Sequence, residues 1–421
     1  MIHGNTALTV SQGEAMRAEE EAKKRLLAGK KLSLVVDLDQ TIIHATVDPT
    51  VGEWQSDPKN PNHDAVKDVR AFQLLDDGPG ARGCWYYIKL RPGLQRFLEN
   101  ISELYELHIY TMGTRAYAQN IAKIVDPTQK IFGDRILSRD ESGSMVAKSL
   151  RRLFPVDTKM VVIIDDRGDV WSWSENLIKV PVYDFFVGIG DINSSFLPKL
   201  PEHSATGATD AAKPTSEDRA VASENKDRPQ VTVITSDAKP AMSPAEAASG
   251  AKVNGEVVSV LEKQLVSMGG GDDKAVREEQ SHKQEEEIAA QVTDRPLAQK
   301  QQQLDEVEEK TAAAVAATAV SNHSTDDSQA DKPRHNLLRD DDAALDGLEA
   351  SLGRIHQAFY DIYDQRLAEK RKTTQPEHKL AVDLSLVPDV KDIISAMKRD
   401  VLSGKELVFS GVIPLGLNIH L

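Results

Sequence analysis

The sequence predicts an α/β fold in residues 30–200, built around a largely parallel sheet. Short apolar runs alternate there with amphipathic segments, which is typical of strands that alternate with helices. The first run, Leu32–Val36, is almost wholly apolar, which favours a strand buried on both faces of a sheet. Several runs end directly in polar side chains, and parallel sheets place their ligands beyond the carboxyl ends of the strands.

The other elements of this domain follow in chain order. A charged helix is predicted over residues 13–29, where Gly29 stops it. Residues 45–84 are rich in Pro, Gly, Asn and Asp, which favours a loop-like insertion after the first strand. Apolar residues at helical spacing predict helices at 94–104 and 115–125. The remaining runs predict strands at 85–90, 106–110, 131–137, 160–164 and 180–186, and a helical turn at 149–153.

The chain changes character beyond residue 200. Residues 201–343 are rich in Ala, Ser, Thr, Glu, Gln, Lys and Asp, and no aromatic residue lies between Phe196 and Phe359. Without large apolar side chains, burial cannot offset the entropy lost on ordering the chain. We therefore expect a disordered acidic linker, with transient helix between residues 255 and 310 and no packed core.

A helical segment is predicted over residues 344–397. Apolar residues from Leu345 to Ile362 recur at intervals of three and four, which predicts an amphipathic helix over 345–367. Such a helix is suited to docking on a partner helix or groove, whose identity the sequence leaves open. A second helix is predicted at 385–398, and the start of a strand at 407–411.

Charge, cysteine content and hydropathy bear on location and partners. The net charge of −15 argues against non-specific binding of nucleic acid. Cys84 is the single cysteine, so no intrachain disulfide can form, which suits a reducing compartment. The sequence contains no apolar run long enough for a membrane span and no apolar signal region near residue 1. We expect a soluble protein of the cytoplasm or nucleus.

The segment Asp37-Leu38-Asp39-Gln40-Thr41 carries the strongest chemical signal. Two carboxylates at this spacing suit a covalent nucleophile and an acid/base, in which the first attacks phosphorus and the second protonates the leaving oxygen and then activates water. An anionic nucleophile and a phosphate repel each other, so the reaction needs a cation such as Mg²⁺, with Asp166 as a further ligand. Taken alone, the motif also occurs in turns without function.

Further polar groups follow at or near the ends of predicted elements. Thr111 at a strand end is most often a helix cap, and Lys148 before a short helix is most often a solvated side chain. Asp165 and Asp166 are more informative, because adjacent carboxylates at the mouth of a buried strand repel each other unless a cation is present. The combination of these groups with the first motif predicts one catalytic and metal site.

Arginines and tryptophans near these motifs have two interpretations. Arg91, Arg139 and Arg167 lie close to the motifs in sequence, and a guanidinium can bind a phosphate with two hydrogen bonds. A surface ion pair is the alternative for each of them. Trp171 and Trp173 are predicted to belong to the core.

Several segments resemble a known class of enzyme. They are DLDQTIIHATVDPTVGEW, KLRPGL, YTMGTRAYAQNIAKIVDP, SRDESGS, KSLRRLFP and VVIIDDRGDVW. Together they closely resemble the phosphatases that act on the C-terminal repeat domain of RNA polymerase II, in the class associated with general transcription factor IIF. The resemblance covers about residues 30–200 and implies the Rossmann-like fold of the haloacid dehalogenase superfamily.

The resemblance also implies roles for individual residues. Asp37 would be the nucleophile and Asp39 the acid/base, and Mg²⁺ would be held by Asp37, the backbone carbonyl of Asp39, and Asp166. Asp165 would orient Lys148. Phosphoryl binding is implied for Thr111 and Lys148, and substrate binding for Arg91, Tyr105, Asp126, Arg139 and Arg167.

The implied substrate is phosphoserine in the heptad repeat of the polymerase tail, mainly at the second and fifth positions, and the implied compartment is the nucleus. General transcription factor IIF is an implied partner, whereas direct contact with nucleic acid or a membrane is not expected. Residues 398–421 resemble the opening of a BRCT domain, of which only the beginning is present. We expect this end to be a truncation or an error in the gene model.

Two other functions are weighed against this one. The first is a catalytically silent relative that uses the fold for binding, which the intact set of catalytic residue types disfavours. The second is a small-molecule phosphatase or phosphomutase of the same superfamily, which would carry a large cap over its site. A loop-like insertion at 45–84 favours an open groove suited to a peptide instead.

Overall fold

The computed structural model describes residues 12–74, 83–142, 144, 147–193, 274–318, 336–373, 382–401 and 403–406. They belong to one compact unit formed by Met1–Leu197 and Gly269–Leu421. Its strands are β1 (Leu32–Val36), β2 (Ile43–Thr46), β3 (Arg70–Leu74), β4 (Cys84–Leu90), β5 (Tyr105–Tyr110), β6 (Ile136–Leu137), β7 (Val161–Asp165) and β8 (Leu177–Lys179). Its helices are α1 (Gln12–Ala28), α2 (Thr50–Ser56), α3 (His63–Val66), α4 (Leu94–Leu104), α5 (Arg115–Val125), α6 (Arg139–Ser142), α7 (Lys274–Asp294), α8 (Pro296–Thr318), α9 (Ala344–Thr373) and α10 (Val390–Val401). Within the described ranges, no helix has both the length and the apolarity that a membrane span requires.

The main sheet has five parallel strands in the order β6-β5-β1-β7-β8, which confirms the predicted fold class. Strand β1 lies at its centre and is buried at every position, as its apolar run predicted. Leu34 is paired with Leu107 of β5 on one side and Val162 of β7 on the other. The chain therefore leaves β1 at the middle of the carboxyl edge, between the ends of β5 and β7.

Two predicted helices cover this sheet. In α4, Leu94, Phe97 and Ile101 are buried, and the helix starts after Gly93, whose φ of 77° lies in the left-handed region that glycine tolerates. In α5, the side chain of Thr114 caps the helix by accepting a hydrogen bond from the amide of Tyr117. Both helices match the predicted ranges, because their apolar spacing reports the face that packs on the sheet.

The insertion after β1 differs from the prediction. Residues 45–84 were expected to be loop-like, but β2, β4 and β3 form a three-stranded antiparallel sheet. The short helices α2 and α3 lie between β2 and β3 along the chain. Pro49 and Asn62, which suggested loop, directly precede the two short helices. Strand β3 is only partly buried, so it lacks the long apolar run that identifies a core strand.

Two strand predictions also need correction. The range 131–137 contains only the short strand β6, because the carboxylate of Asp126 accepts hydrogen bonds from the amides of residues 130–132 and holds them in a turn. The final strand is β8 rather than 180–186. The amide of Val180 still bonds to Asp165, but Pro181 has no N–H to continue the ladder, and the chain leaves the sheet there.

The predicted linker is partly ordered. Residues 201–273 lie outside the described ranges, but α7 and α8 occupy 274–318 and pack on the domain, so the prediction of disorder is wrong for these residues. Leu297 is fully buried, and the side-chain oxygen of Gln291 accepts hydrogen bonds from the Thr46 hydroxyl and the Val47 amide. A few isolated buried residues of this kind cannot be recognised from the low-complexity composition of the segment.

The amphipathic helix predicted over 345–367 makes up most of α9 from its N-terminal end, and it packs on the domain of this same chain. Leu352 and Phe359 are fully buried against the domain, and α9 packs on α4. The Tyr360 hydroxyl donates to the carbonyl of Lys31 at 2.8 Å. Helix α10 overlaps the second predicted helix over residues 390–398, and the start of that prediction lies before the helix. The strand predicted at 407–411 and most of the BRCT-like segment lie outside the described residues.

Candidate active site

The motif that follows β1 folds into a tight turn. The amide of Asp37 continues the ladder to Ile164 of β7 at 3.1 Å. The carbonyl of Leu38 then accepts hydrogen bonds from the amides of Ile42 and Ile43, and Gln40 adopts a φ of 55°. A non-glycine residue in this left-handed region is uncommon and marks a conformation that the surroundings impose.

Thr41 ties this turn to the end of β7. Its hydroxyl accepts a hydrogen bond from the amide of Asp166 at 3.0 Å. The same oxygen lies 3.3 Å from a carboxylate oxygen of Asp37 and 3.2 Å from one of Asp166. Since one hydroxyl has one proton, these two contacts share it. The threonine of the motif thus holds the two aspartates at a common cleft.

Lys148 lies between two of the predicted site residues. Its ammonium nitrogen is 2.5 Å from Asp37 Oδ1 and 2.7 Å from Asp165 Oδ2. Asp165 also accepts hydrogen bonds from the Trp171 indole and the Arg167 amide, both at 2.7 Å. Trp171 is buried, as predicted, but it also fixes a carboxylate of the site.

Three buried carboxylates form the candidate metal site. Carboxylate oxygens of Asp37, Asp165 and Asp166 lie within 4.8 Å of one another, and all three residues are buried. Both oxygens of Asp165 already accept hydrogen bonds from Lys148, Trp171 or the backbone. Asp37 and Asp166 therefore remain as the better placed carboxylate ligands.

The electrostatics of the cluster call for additional positive charge. Burial, with repulsion from Asp165, raises the pKa of Asp37 to about 7 even though Lys148 opposes this. Burial, with repulsion from Asp165, also raises the pKa of Asp166 well above its ordinary value. Burial disfavours the charge of Lys148, yet the neighbouring carboxylates hold its pKa above its ordinary value. One ammonium does not compensate these carboxylates, and a divalent cation with a preference for oxygen ligands fits the deficit.

Asp39 has its own hydrogen-bond partners. Its carboxylate accepts from the Tyr117 hydroxyl at 2.5 Å and from the side-chain amide of Asn193 at 2.9 Å. Burial, followed by repulsion from Asp191, raises its pKa well above the ordinary value. A carboxyl group with a raised affinity for a proton, held in place by two hydrogen-bond donors, suits a general acid.

Sequence reasoning did not identify Tyr117, Asn193 or Asp191. Tyr117 lies on the buried face of α5, where periodicity identifies it only as a core residue. Asn193 and Asp191 follow the last strand in a segment without a recognisable pattern. The one available signal was that both residues follow β8, because a parallel strand ends at the carboxyl edge of the sheet, where the site lies.

Three other predicted residues lie near the cleft. Thr111 follows β5 directly, and its hydroxyl accepts from the amide of Gly113 at 3.0 Å, so it keeps a proton to donate. Arg139 is largely buried, and this burial lowers its pKa. Arg167 is bound through its guanidinium to Asp169, as the ion-pair alternative predicted.

The side chain of Arg91 binds groups inside the fold. Its side chain is fully buried, and its guanidinium binds both carboxylate oxygens of Asp342, at 2.7 and 2.8 Å. It also donates to the carbonyls of Thr41 and Pro181. The structure therefore does not support its predicted role in substrate binding, because its donors are engaged inside the fold.

Tyr105 and Asp126 are also remote from the cleft. Tyr105 begins β5, at the sheet edge opposite the site, and its hydroxyl donates to the carbonyl of Leu352 at 2.8 Å. The carboxylate of Asp126 closes the turn before β6. Both side chains stabilise the fold, and the structure does not support their predicted role in substrate binding. Trp173, predicted as core, is instead exposed.

Comparison with known proteins agrees with the resemblance. The model of the NLI interacting factor-like phosphatase family matches residues 32–206. A solved structure described as Fcp1, an essential RNA polymerase II CTD phosphatase, is 40% identical with a TM-score of 0.62, over 96% of this chain and 80% of that one. This chain belongs to the NLI interacting factor-like phosphatase family.

Two curated relatives match the whole chain. A C-terminal domain phosphatase of RNA polymerase II from Schizosaccharomyces pombe is 47% identical over 422 residues, which cover 100% of this chain and 52% of the relative. The protein of the same name from Saccharomyces cerevisiae is 40% identical over 440 residues, with the same coverage. The chain spans about half the length of these curated relatives.

Proposed function

We propose that this protein is a magnesium-dependent protein serine phosphatase that acts on the phosphorylated C-terminal repeats of RNA polymerase II through an aspartyl-phosphate intermediate. The observation that carries the proposal is the buried contact between Asp37 and Lys148, with the carboxyl group of Asp39 held by hydrogen bonds two residues further on. A nucleophile, a phosphoryl-binding cation and a general acid then meet at one sheet edge.

In the first half-reaction, a carboxylate oxygen of Asp37 attacks the phosphorus of phosphoserine. Lys148 and Thr111 bind oxygens of the transferring group and balance their charge. The bond between phosphorus and the seryl oxygen breaks, and Asp39 donates its proton to that oxygen. The products of this step are the dephosphorylated serine side chain of the substrate and an acyl phosphate on Asp37.

In the second half-reaction, the ionised Asp39 removes a proton from water. The resulting hydroxide attacks phosphorus, the acyl phosphate bond breaks, and the electron pair returns to the carboxylate of Asp37. Inorganic phosphate leaves, and Asp39 has regained its proton. Tyr117 and Asn193 keep the Asp39 carboxylate oriented through both steps.

The residues that would hold magnesium are Asp37, the backbone carbonyl of Asp39, and Asp166. When bound, the ion would supply the positive charge that allows an anionic nucleophile and an anionic ester to approach each other. Asp165 stays outside this set because it orients Lys148 instead.

The substrate class rests on the relatives. Two curated relatives that match the full chain are RNA polymerase II C-terminal domain phosphatases. A solved fission yeast CTD phosphatase variant, 42% identical to this chain with a TM-score of 0.63, is bound to beryllium fluoride, a compound that mimics a phosphoryl group. These similarities support a phosphorylated polymerase tail as substrate and the nucleus as compartment. Transcription factor IIF is a proposed partner on the sequence resemblance alone.

The deciding experiment compares substrates. Heptad peptides phosphorylated at the second, fifth or both serines would be incubated with the protein and Mg²⁺, and the remaining phosphate mapped by mass spectrometry. We expect faster phosphate release from these peptides than from sugar phosphates, and complete loss in Asp37→Asn. Faster release from sugar phosphates would favour a metabolite phosphatase, and no hydrolysis of p-nitrophenyl phosphate would favour a silent relative.

A further inference from the structure

A directed chain of side-chain hydrogen bonds leads from α7 to the acid/base residue. Arg139 donates to the side-chain oxygen of Gln284 at 2.5 Å. The side-chain nitrogen of Gln284 donates to the side-chain oxygen of Asn193 at 3.2 Å. The nitrogen of Asn193 in turn donates to Asp39 at 2.9 Å. The four residues come from segments that are far apart in sequence.

The direction of this chain follows from its first member. A guanidinium can only donate, so Gln284 must turn its oxygen toward Arg139 and its nitrogen toward Asn193. Asn193 must then present its oxygen to Gln284 and its nitrogen to Asp39. Without the donor on Gln284, the amide of Asn193 could rotate and face Asp39 with its oxygen. That oxygen would repel the ionised carboxylate, and it would accept a hydrogen bond from the protonated form and so hold the proton away from the leaving group.

The burial pattern of α7 distinguishes Gln284 from its neighbours. Gln284 is 7% exposed, whereas the adjacent Lys283 and Glu285 are both exposed. Its nitrogen also donates to the carbonyl of Ile192 at 3.2 Å, so it holds both the backbone and the side chain of the segment that carries Asn193.

The helix itself is anchored outside the cleft. Gln291 bonds to the backbone of Val47, and Arg295 pairs with Glu53. The amide of Leu297 donates to the buried carboxylate of Asp48 at 2.8 Å. These contacts hold the C-terminal end of α7 and the start of α8 on the domain independently of Gln284, so a change at Gln284 need not release the helix.

We infer that Gln284 is a positioning residue, which fixes the amide of Asn193 so that Asp39 is held as the proton donor to the leaving group. This inference rests on the proposed function, since it concerns the acid/base of that reaction. It makes α7, which follows a long segment outside the phosphatase motifs, part of the catalytic machinery.

The test uses two small substrates that differ in their need for a proton. The p-nitrophenolate leaving group is a stable anion, whereas the leaving group of phenyl phosphate is more basic and depends on a general acid. The value of kcat/KM reports the step in which the leaving group departs. Gln284→Ala should lower kcat/KM for phenyl phosphate by about 10-fold or more and that for p-nitrophenyl phosphate by less than about 3-fold.

Two further variants sharpen the comparison. Gln284→Glu keeps an acceptor for Arg139 but cannot donate to Asn193, so it should show the same substrate-dependent loss as Gln284→Ala. Gln302→Ala, a change at an exposed glutamine of α8, should leave both substrates unaffected. Thermal unfolding of all variants with the full chain checks that the fold is retained.

Equal losses on both substrates, or no loss on either, would overturn the positioning role. A parent protein that hydrolyses neither substrate would instead refute the proposed function, so the two failures are distinguishable. Full activity of Gln284→Glu on phenyl phosphate would also contradict the inference, because that variant lacks the donor.

Discussion

At the scale of single residues, the site depends on how many hydrogen-bond donors each buried carboxylate has. Asp165 accepts three hydrogen bonds, from Lys148, Trp171 and the backbone, which commits it to orienting the lysine. Among the side chains of the described ranges, Asp37 has only Lys148 and a shared hydroxyl as partners. The difference in the number of donors agrees with the proposed roles, in which Asp165 orients Lys148 and Asp37 is the nucleophile.

Removing the buried ammonium should destabilise the fold and stop catalysis. Lys148→Met leaves the carboxylates of Asp37 and Asp165 without their cation, and loss of one partner of a buried pair costs about 3–5 kcal/mol. Urea unfolding at neutral pH measures the stability, and phosphate release measures the activity. The exposed Lys67→Met is the matched control and should change neither. A Lys148→Met protein as stable as its parent would contradict the buried pair.

His44 should make the stability of the protein depend on pH. Its ring accepts hydrogen bonds from the amides of Phe185 and Phe186 and donates to the carbonyl of Ile189, which requires the neutral form. Burial lowers the pKa of His44 from 6.5 to about 4. As the pH falls below 6.5, the unfolded chain binds a proton that the folded state rejects, so the free energy of unfolding declines until about pH 4.

The expected loss from His44 is about 2 kcal/mol between pH 7 and pH 5. Urea unfolding of the parent and of His44→Gln at several pH values isolates this contribution. The variant should be less stable at pH 7, and the difference between the two proteins should shrink toward pH 5. A difference that stays constant with pH would show that His44 does not titrate as its burial implies.

At the scale of elements, the helices that follow the phosphatase motifs are part of the folded unit. The apolar face of α9 packs on α4, and the hydroxyl of Tyr105 bonds to its backbone. Asp342, just before α9, pairs with the buried Arg91. Arg91 and Tyr105 therefore connect α9 and its preceding turn to the sheet, which gives them structural importance without any contact to substrate.

Truncation of a side chain on the packed face of α9 should destabilise the whole domain. Phe359 is fully buried, and Phe→Ala changes in cores cost about 3–5 kcal/mol. Gln357→Ala, at an exposed position of the same helix, serves as the control. Chemical unfolding followed by tryptophan fluorescence, to which the buried Trp54 and Trp171 contribute, should report the loss for Phe359→Ala alone. An unchanged midpoint would mean that α9 is not coupled to the core.

At the scale of the whole molecule, segments distant in sequence meet at one edge of the parallel sheet. The ends of β1, β5 and β7 contribute Asp37, Thr111 and Asp165, and the chain returns with Asn193 and again with Gln284. This convergence concentrates negative charge in a buried cleft, and a bound cation should stabilise the entire fold.

Magnesium should therefore raise the thermal stability of metal-free protein. Ligand that binds only the folded state stabilises it by about 2.7 kcal/mol at a concentration 100 times its dissociation constant. After dialysis against EDTA, added MgCl₂ should raise the Tm of the parent and restore its activity. Asp166→Asn should show neither effect, whereas the exposed Asp134→Asn should behave like the parent. A parent Tm that does not respond to Mg²⁺ would contradict the site.

The sequence by itself determined the fold class, the central strand and the edge at which the site lies. Apolar periodicity and run length are local properties, and they identify the strands. Because parallel strands end at one edge of a sheet, the residues that follow them, Asp37, Asp39 and Asp166, are predicted to lie at that edge. The small sheet of the insertion, the packing of α7 to α9 and the structural use of Arg91 were decided only by the tertiary structure. Hydrogen bonds act over about 3 Å between segments that chain order does not bring together, so no local pattern specifies which partner a buried polar group will meet.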